Sequence, residues 1–191
     1  MENKRFDPKN ADKLMSQERK DQLQPDKVIE HLHVSTDDVV ADLGAGPGLF
    51  TIPIAKQTKH DVYAVDIEPE MLERLQTHAE KENIENIEPI VSDLEDIKLP
   101  DDSVTRVFNS FVIHEVSDLN KSIQEIKRIL KPEGQLLLID WEAVESESGP
   151  PLEIRIPSQK MADVLKENGF DTELFHLNPN HYAIKASKGE H

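Results

Sequence analysis

Apolar positions change period several times along the chain, and each change marks an element. Through residue 34 the spacing is helical: Pro25 and Asp26 suit a helix start, and Val28, Ile29 and Leu32 recur at helical spacing. Residues 38–43 then read as a strand, 49–57 as a short helix, 61–67 as a strand and 68–82 as a longer helix. Short strands follow at 87–93 and 104–110, the second preceded by the turn-rich LPDDS. Over 118–131, Ile123, Ile126 and Leu130 share one face, and the run Lys131-Pro132-Glu133-Gly134 is expected to end that helix. Residues 135–141, QLLLIDW, are nearly continuously apolar, as in a strand buried on both faces. Residues 158–168 read as a helix ending at Gly169, and 171–177 and 181–186 as a hairpin turning at Asn178-Pro179-Asn180.

Strand and helix alternating at this rhythm predict right-handed βαβ units, and therefore a parallel α/β sheet with an antiparallel strand near one edge from the hairpin. The 191 residues suit one domain. It divides into a helical cap at 1–34, a core at 35–141, an acidic loop at 142–157 and a terminal helix and hairpin at 158–191. The cap and the loop are polar and are expected to be mobile and to order over a ligand.

Charge narrows the partners. A formal net charge of −16 repels a polyanion, so nucleic acid is disfavoured. The one basic stretch, KRFDPKNADK at residues 4–13, reads as a solvated terminus. The absence of cysteine excludes disulfides, thiolate metal sites and a cysteine nucleophile. No apolar run approaches the ~20 residues of a membrane helix. MENKRFDPKN has no apolar core of a secretory signal, so cytoplasm is the expected compartment. No metal is expected: His31 and His33 lie on different sides of a helix, and His176 and His181, which flank the hairpin turn and can face each other, are too few for a zinc site.

Three of the seven glycines fall within five residues, in VVADLGAGPGLF at 39–50. They lie at the carboxyl end of the first strand, where open parallel sheets bind ligands, and glycine permits close backbone approach. That points to a nucleotide-like ligand near Gly44, Gly46 and Gly48. Asp66, twenty-two residues after Gly44, is spaced to accept ribose hydroxyls. The plainer reading has glycines serving only the turn and Asp66 a strand end. A dinucleotide fingerprint fails because Leu49 stands where its third glycine belongs, and Asp42 would repel a pyrophosphate but suits a cationic group. No Gly-Lys-Ser/Thr follows, which excludes a Walker phosphate loop.

DLGAGPG resembles the first motif of class I methyltransferases that use S-adenosylmethionine. AVDIEPEML, VSDLEDIKLPDDSV, RVFNSFVIHEV and RILKPEGQLLLIDW follow in that family's order, over roughly residues 36–141. The subgroup most resembled is the small-molecule enzymes related to ubiquinone/menaquinone-biosynthesis C-methyltransferases, although their extended N-terminal signatures are missing. The resemblance implies a three-layer, Rossmann-like sheet of seven strands in order 3-2-1-4-5-7-6 with strand 7 antiparallel. It also implies S-adenosylmethionine as cofactor, S-adenosylhomocysteine as product and a small-molecule acceptor. Gly44, Ala45 and Gly46 would run along the methionine part, with Asp42 holding its ammonium and the Asn109 backbone facing it. Asp66 would take the ribose hydroxyls, Ile67 would pack on the adenine, and Asp93 would accept the adenine amino group beside Leu94. As plainer readings, Ile67 and Leu94 are core and Asp93 caps a helix.

Methyl transfer from a sulfonium rests on alignment and desolvation, and needs a base only where the acceptor must lose a proton. An acceptor pocket built from the carboxyl ends of strands 4 and 5 and the N-terminal helices nominates Phe111, His114, Glu115 and Trp141, with Arg155 able to reach an acidic substrate. His114 is the one candidate base; the alternative is a loop histidine paired with an acid or the backbone. Other readings stay open: a methyltransferase acting on protein or RNA, a non-catalytic S-adenosylmethionine-binding module, and, more remotely, a nicotinamide oxidoreductase. The chain reads NSFV where an N/D-P-P-Y motif for amino-group methylation would stand.

Overall fold

The computed structural model describes residues 7–189, so Lys4, Arg5 and Phe6 of the basic stretch and His191 lie outside it. Within that range the chain opens with a 3₁₀ turn (Pro8–Asn10) and three short helices, α1 (Ala11–Leu14), α2 (Gln17–Leu23) and α3 (Pro25–Glu30). The alternating part runs β1 (Val40–Leu43), α4 (Thr51–Ala55), β2 (Val62–Asp66), α5 (Pro69–Lys81), β3 (Ile87–Val91), β4 (Val104–Ser110), α6 (Leu119–Ile129) and β5 (Leu130–Trp141). It closes with α7 (Ser158–Glu167), β6 (Phe170–Asn178) and β7 (His181–Lys188).

The seven strands pair in the order β3-β2-β1-β4-β5-β7-β6, and β7 runs antiparallel to both of its neighbours. The expected fold is therefore the observed one. Strand order reverses between β1 and β4, which pair in parallel with Leu43 opposite Asn109, so the ligand crevice of such a sheet opens at their carboxyl ends. β1 is buried at every position, as a central strand covered on both faces must be. One face carries α3 and α4, with Ile29, Ile54, Phe108 and Leu137 in one apolar layer. The other carries α6 and α7, where Ile123, Ile126, Ile129 and Leu165 meet Leu136 and Leu138; full burial of each contributes about 1.5–3 kcal/mol. β3 is an edge, and its exposed Pro89, which cannot donate to a ladder, is tolerated there.

Two local expectations change. The helix ends just before Lys131-Pro132-Glu133-Gly134, as expected, but the strand begins earlier than Gln135: α6 passes directly into β5 at Leu130, which pairs with Val104, and the next pair is Gln135 with Arg106. Leu130 is fully buried and serves as the first strand residue, while Pro132 cannot donate, so the stretch bulges outward with Glu133 at φ 64°. His176 and His181 also do not face each other: His176 lies opposite Tyr182, and His181 opposite Asn178. His176 instead meets Glu142 at 2.7 Å. No described helix is long and apolar enough to cross a membrane.

Candidate functional site

The glycine loop folds back over the end of β2. The amides of Gly44 and Ala45 both donate to the Val65 carbonyl, at 2.7 and 3.0 Å, and that of Gly46 donates to Asp66 Oδ2 at 2.8 Å. Gly44 has φ +76°, and a Cβ there would lie 2.6 Å from a Val112 methyl, so this close approach requires glycine. With its amides used internally, the loop has no cradle for a pyrophosphate. The other oxygen of Asp66 accepts the Glu68 amide at 2.9 Å, and burial raises the pKa of this carboxyl. Beneath the loop Asp42 is 1% exposed. Its Oδ2 accepts the Thr51 hydroxyl at 2.6 Å, and its Oδ1 has no partner. Burial, with Asp66 nearby, pushes its pKa up to about 7 against the pull of Thr51. Across the switch point the Asn109 side chain is fully buried, and both its Nδ2 and Oδ1 are unpartnered. Buried polar atoms without partners are few in folded proteins; Asp42 Oδ1 lies on the α4 face of the sheet, and the two of Asn109, opposite Leu43, lie on the other face.

The other half of the site lies beyond β4 and β5. Phe111 follows β4 at φ 56°, a left-handed conformation that costs a bulky residue about 1–3 kcal/mol and is typical of functional sites. Its ring lies 6.1 Å from that of Trp141 and 5.1 Å from that of His181. A 3₁₀ turn (Ile113–Glu115) then delivers His114 onto Asp140, the single charged residue in the apolar part of β5. His114 Nδ1 stands 2.7 and 3.0 Å from the two Asp140 oxygens, which also accept the backbone amides of Trp141 and His114. Facing a carboxylate, Nδ1 carries the proton, and Nε2 has no hydrogen-bond partner among the described residues. Burial works to lower the His114 pKa, but the bond to Asp140 and the charges of Asp140 and Glu115 prevail over it and over Arg155, so the net shift is upward.

A family model described as a methyltransferase domain matches residues 41–138, just over half of the chain. The chain belongs to that family. The match begins in β1 and ends in β5, so this methyltransferase keeps its family core around the glycine loop. It is 31% identical over 106 residues to the uncharacterized methyltransferase YcgJ of Bacillus subtilis, covering 56% of this chain and 42% of that one. It is 30% identical over 112 residues to the ubiquinone/menaquinone biosynthesis C-methyltransferase UbiE of Rickettsia massiliae, covering 56% and 45%. The chain thus spans less than half the length of these curated relatives. A solved S-adenosylmethionine-dependent methyltransferase of Aquifex aeolicus superposes with a TM-score of 0.89 at 28% identity, covering 96% of this chain and 99% of that one. By its family match and strand order the chain carries a class I methyltransferase domain similar to that of S-adenosylmethionine-dependent enzymes.

The methyltransferase's nominated residues divide into groups. Asp42, Gly44, Ala45, Gly46 and Asp66 converge on the crevice, whereas the Asn109 side chain, opposite Leu43, is buried on the other face of the sheet. Ile67 is half-buried just beyond β2. Asp93 Oδ1 accepts the Glu95 amide at 2.8 Å, so it caps a turn rather than a helix, and Leu94 packs into the core beneath. Phe111 and Trp141 come together, His114 joins Asp140, and Glu115 is half-buried next to His114. Arg155 is 8% exposed and donates to the carbonyls of Pro150, Val144, Ser148 and, at 3.5 Å, Glu142. It closes the 142–151 segment around itself, with its guanidinium 5.0 Å from the Trp141 ring. Three residues were not singled out in the sequence. Asp140 carried a signal, an acid inside an apolar run. Thr51 and Arg19 carried none, and His181 was weighed only as a metal ligand.

Proposed function

We propose that this methyltransferase transfers the methyl group of S-adenosylmethionine to a small organic acceptor that surrenders a proton to His114. The buried His114–Asp140 pair carries the reading: Nδ1 is held by the carboxylate and Nε2 is unpartnered among the described residues, at the carboxyl end of β4 and β5. When bound, the cofactor supplies a methyl already activated on a sulfonium. Asp42 Oδ1 is an acceptor without a donor, which suits an ammonium group, and the internally bonded glycine loop suits a ligand without phosphates. Asp66 keeps lone pairs for the ribose hydroxyls. Ile67 and Asp93 would receive the adenine. Nε2 takes the acceptor's proton as the new bond forms, and Asp140 holds the imidazole's orientation and stabilises the imidazolium. Hydroxyl, amine and acidic-carbon acceptors all fit. The N-terminal helices and the segment around Arg155 would cover the acceptor.

Cofactor affinity should depend on pH through Asp42. Its carboxylate form holds the ammonium, and in the empty site that form dominates only above a pKa of about 7. Below it binding must release a proton, so S-adenosylhomocysteine affinity is expected to fall on acidification by up to about tenfold per pH unit, and to level off above it. Calorimetry across this range checks the slope, and Asp42→Asn is expected to flatten it.

Titration calorimetry with S-adenosylmethionine, S-adenosylhomocysteine and NAD, followed by a screen of hydroxylated aromatic acceptors, tests the reading. Micromolar binding of the two sulfur ligands without NAD, and turnover with at least one acceptor, is the expected result. Binding without turnover on a broad panel would favour a non-catalytic binding module.

A further inference from the structure

The chain has 38 acidic side chains and 22 basic ones, yet Arg19 forms no ion pair among the described residues. Ser16 caps α2 by accepting the Arg19 amide at 3.2 Å, which fixes Arg19 in the first turn. Its guanidinium lies 5.0 Å from the Phe111 ring centroid and 5.8 Å from that of Trp141, half-buried and without a hydrogen-bond acceptor among the described residues. Beside these rings His181 is 6% exposed, its ring 4.4 Å from that of Trp141. Asn178 Oδ1 accepts the amides of Asn180 and His181, so the Asn178 Nδ2 is the donor to His181 Nδ1. The His181 proton is therefore on Nε2, and that buried N–H has no acceptor. Burial and the charges of Arg19 and Arg155 hold this imidazole neutral, with a pKa near 4. Phe111 and His114 follow the carboxyl end of β4 and Trp141 ends β5, so the cluster lies at the same end of the sheet as the candidate base.

Two cations and an unsatisfied N–H donor thus surround one indole, and among the described residues no carboxylate pairs with either cation. An ordinary packed core would not leave the Nε2–H of His181 without an acceptor, and the half-buried fork of Arg19 beside it is free to take one. The rings supply flat apolar walls, and the donors call for negatively charged oxygen.

We infer that this cluster recognises the methyl acceptor and that the acceptor is a flat anion, an aromatic carboxylate lying against Phe111 and Trp141 with its charge on Arg19 and one oxygen on the Nε2–H of His181. The inference rests on the methyltransferase reading above. Arg19 and His181 act as specificity-determining residues, and His114 remains free for the proton at the reacting atom.

Trp141 is the single tryptophan of the chain, so intrinsic fluorescence reports on this cluster. Protein saturated with S-adenosylhomocysteine is titrated with benzoate and with benzamide, which share a ring but differ in charge. Benzoate is expected to change Trp141 emission saturably and to bind at least about tenfold more tightly than benzamide. Arg19→Gln should bring that ratio close to one and Arg19→Lys should keep part of it. His181→Phe, which preserves the ring packing, should weaken benzoate alone. Equal binding of the two probes, no response to either, or a preference that survives Arg19→Gln overturns the inference. Calorimetry with S-adenosylhomocysteine on the same samples separates the failures. Cofactor binding without anion preference removes only this inference. No cofactor binding removes the reading beneath it as well.

Discussion

His114→Asn is expected to lower kcat by about 10²–10⁴-fold, the usual contribution of a positioned general base. Affinity for S-adenosylhomocysteine should stay within about twofold, because no contact of His114 reaches the glycine loop. Asp140→Asn gives a sharper version. It keeps the shape of the side chain but removes the charge that, with the hydrogen bond, raises the His114 pKa. The sign follows. Activity requires neutral Nε2, so kcat/KM rises with pH as the imidazolium deprotonates, and lowering that pKa moves the acid limb to lower pH. The mutant should therefore be slower, with its acid limb displaced downward, when assayed with a hydroxyaromatic acceptor that the native enzyme methylates. A pH profile that keeps its position and height in both variants would show that the pair is only packing and that the acceptor needs no base. Asp140 is 1% exposed, so cofactor binding by each variant serves as the check that the site has folded.

Asp66→Ala is expected to weaken S-adenosylhomocysteine binding by more than about tenfold, since each lost hydrogen bond to a charged acceptor is worth about 1.5–3 kcal/mol. The structure adds a second cost. Asp66 also accepts the Gly46 and Glu68 amides, so the variant frees the glycine loop from β2. Asp66→Asn retains one acceptor oxygen and should recover part of the loss. Unchanged affinity in a folded Asp66→Ala protein, measured by calorimetry, would overturn the assignment of the cofactor crevice.

Much of the fold was legible because it is written in local periods. The apolar run of β5, the helical spacing of Ile123 and Ile126 in α6, and the turn before β7 each lie within one element, and their order implies right-handed crossovers and hence the sheet. The cofactor crevice was legible for a similar reason. A glycine turn ending one strand and an acid ending the next must meet when the two strands pair in parallel, as β1 and β2 do. The bulge at 131–134 was missed because a Pro-Glu-Gly run ends helices and bulges strands alike, and the pairing of Leu130 with Val104 shows that this one does both.

The acceptor side had no local signature. His114 meets Asp140 only because β4 and β5 are neighbours, so the turn after one lands on the end of the other. Arg155 looked available for a substrate, but the path of the 142–151 segment turns its donors onto carbonyls. Arg19 and His181 come from opposite ends of the chain and reach the same indole because α2 sets Arg19 over the Phe111 and Trp141 rings and β7 inserts beside β5. The sequence by itself determined which elements form and where a cofactor crevice opens, since period and motif spacing act within a strand and its neighbour. Only the tertiary structure decided which charges are left without partners around Trp141, because that depends on contacts between segments far apart in the chain, which no local period encodes.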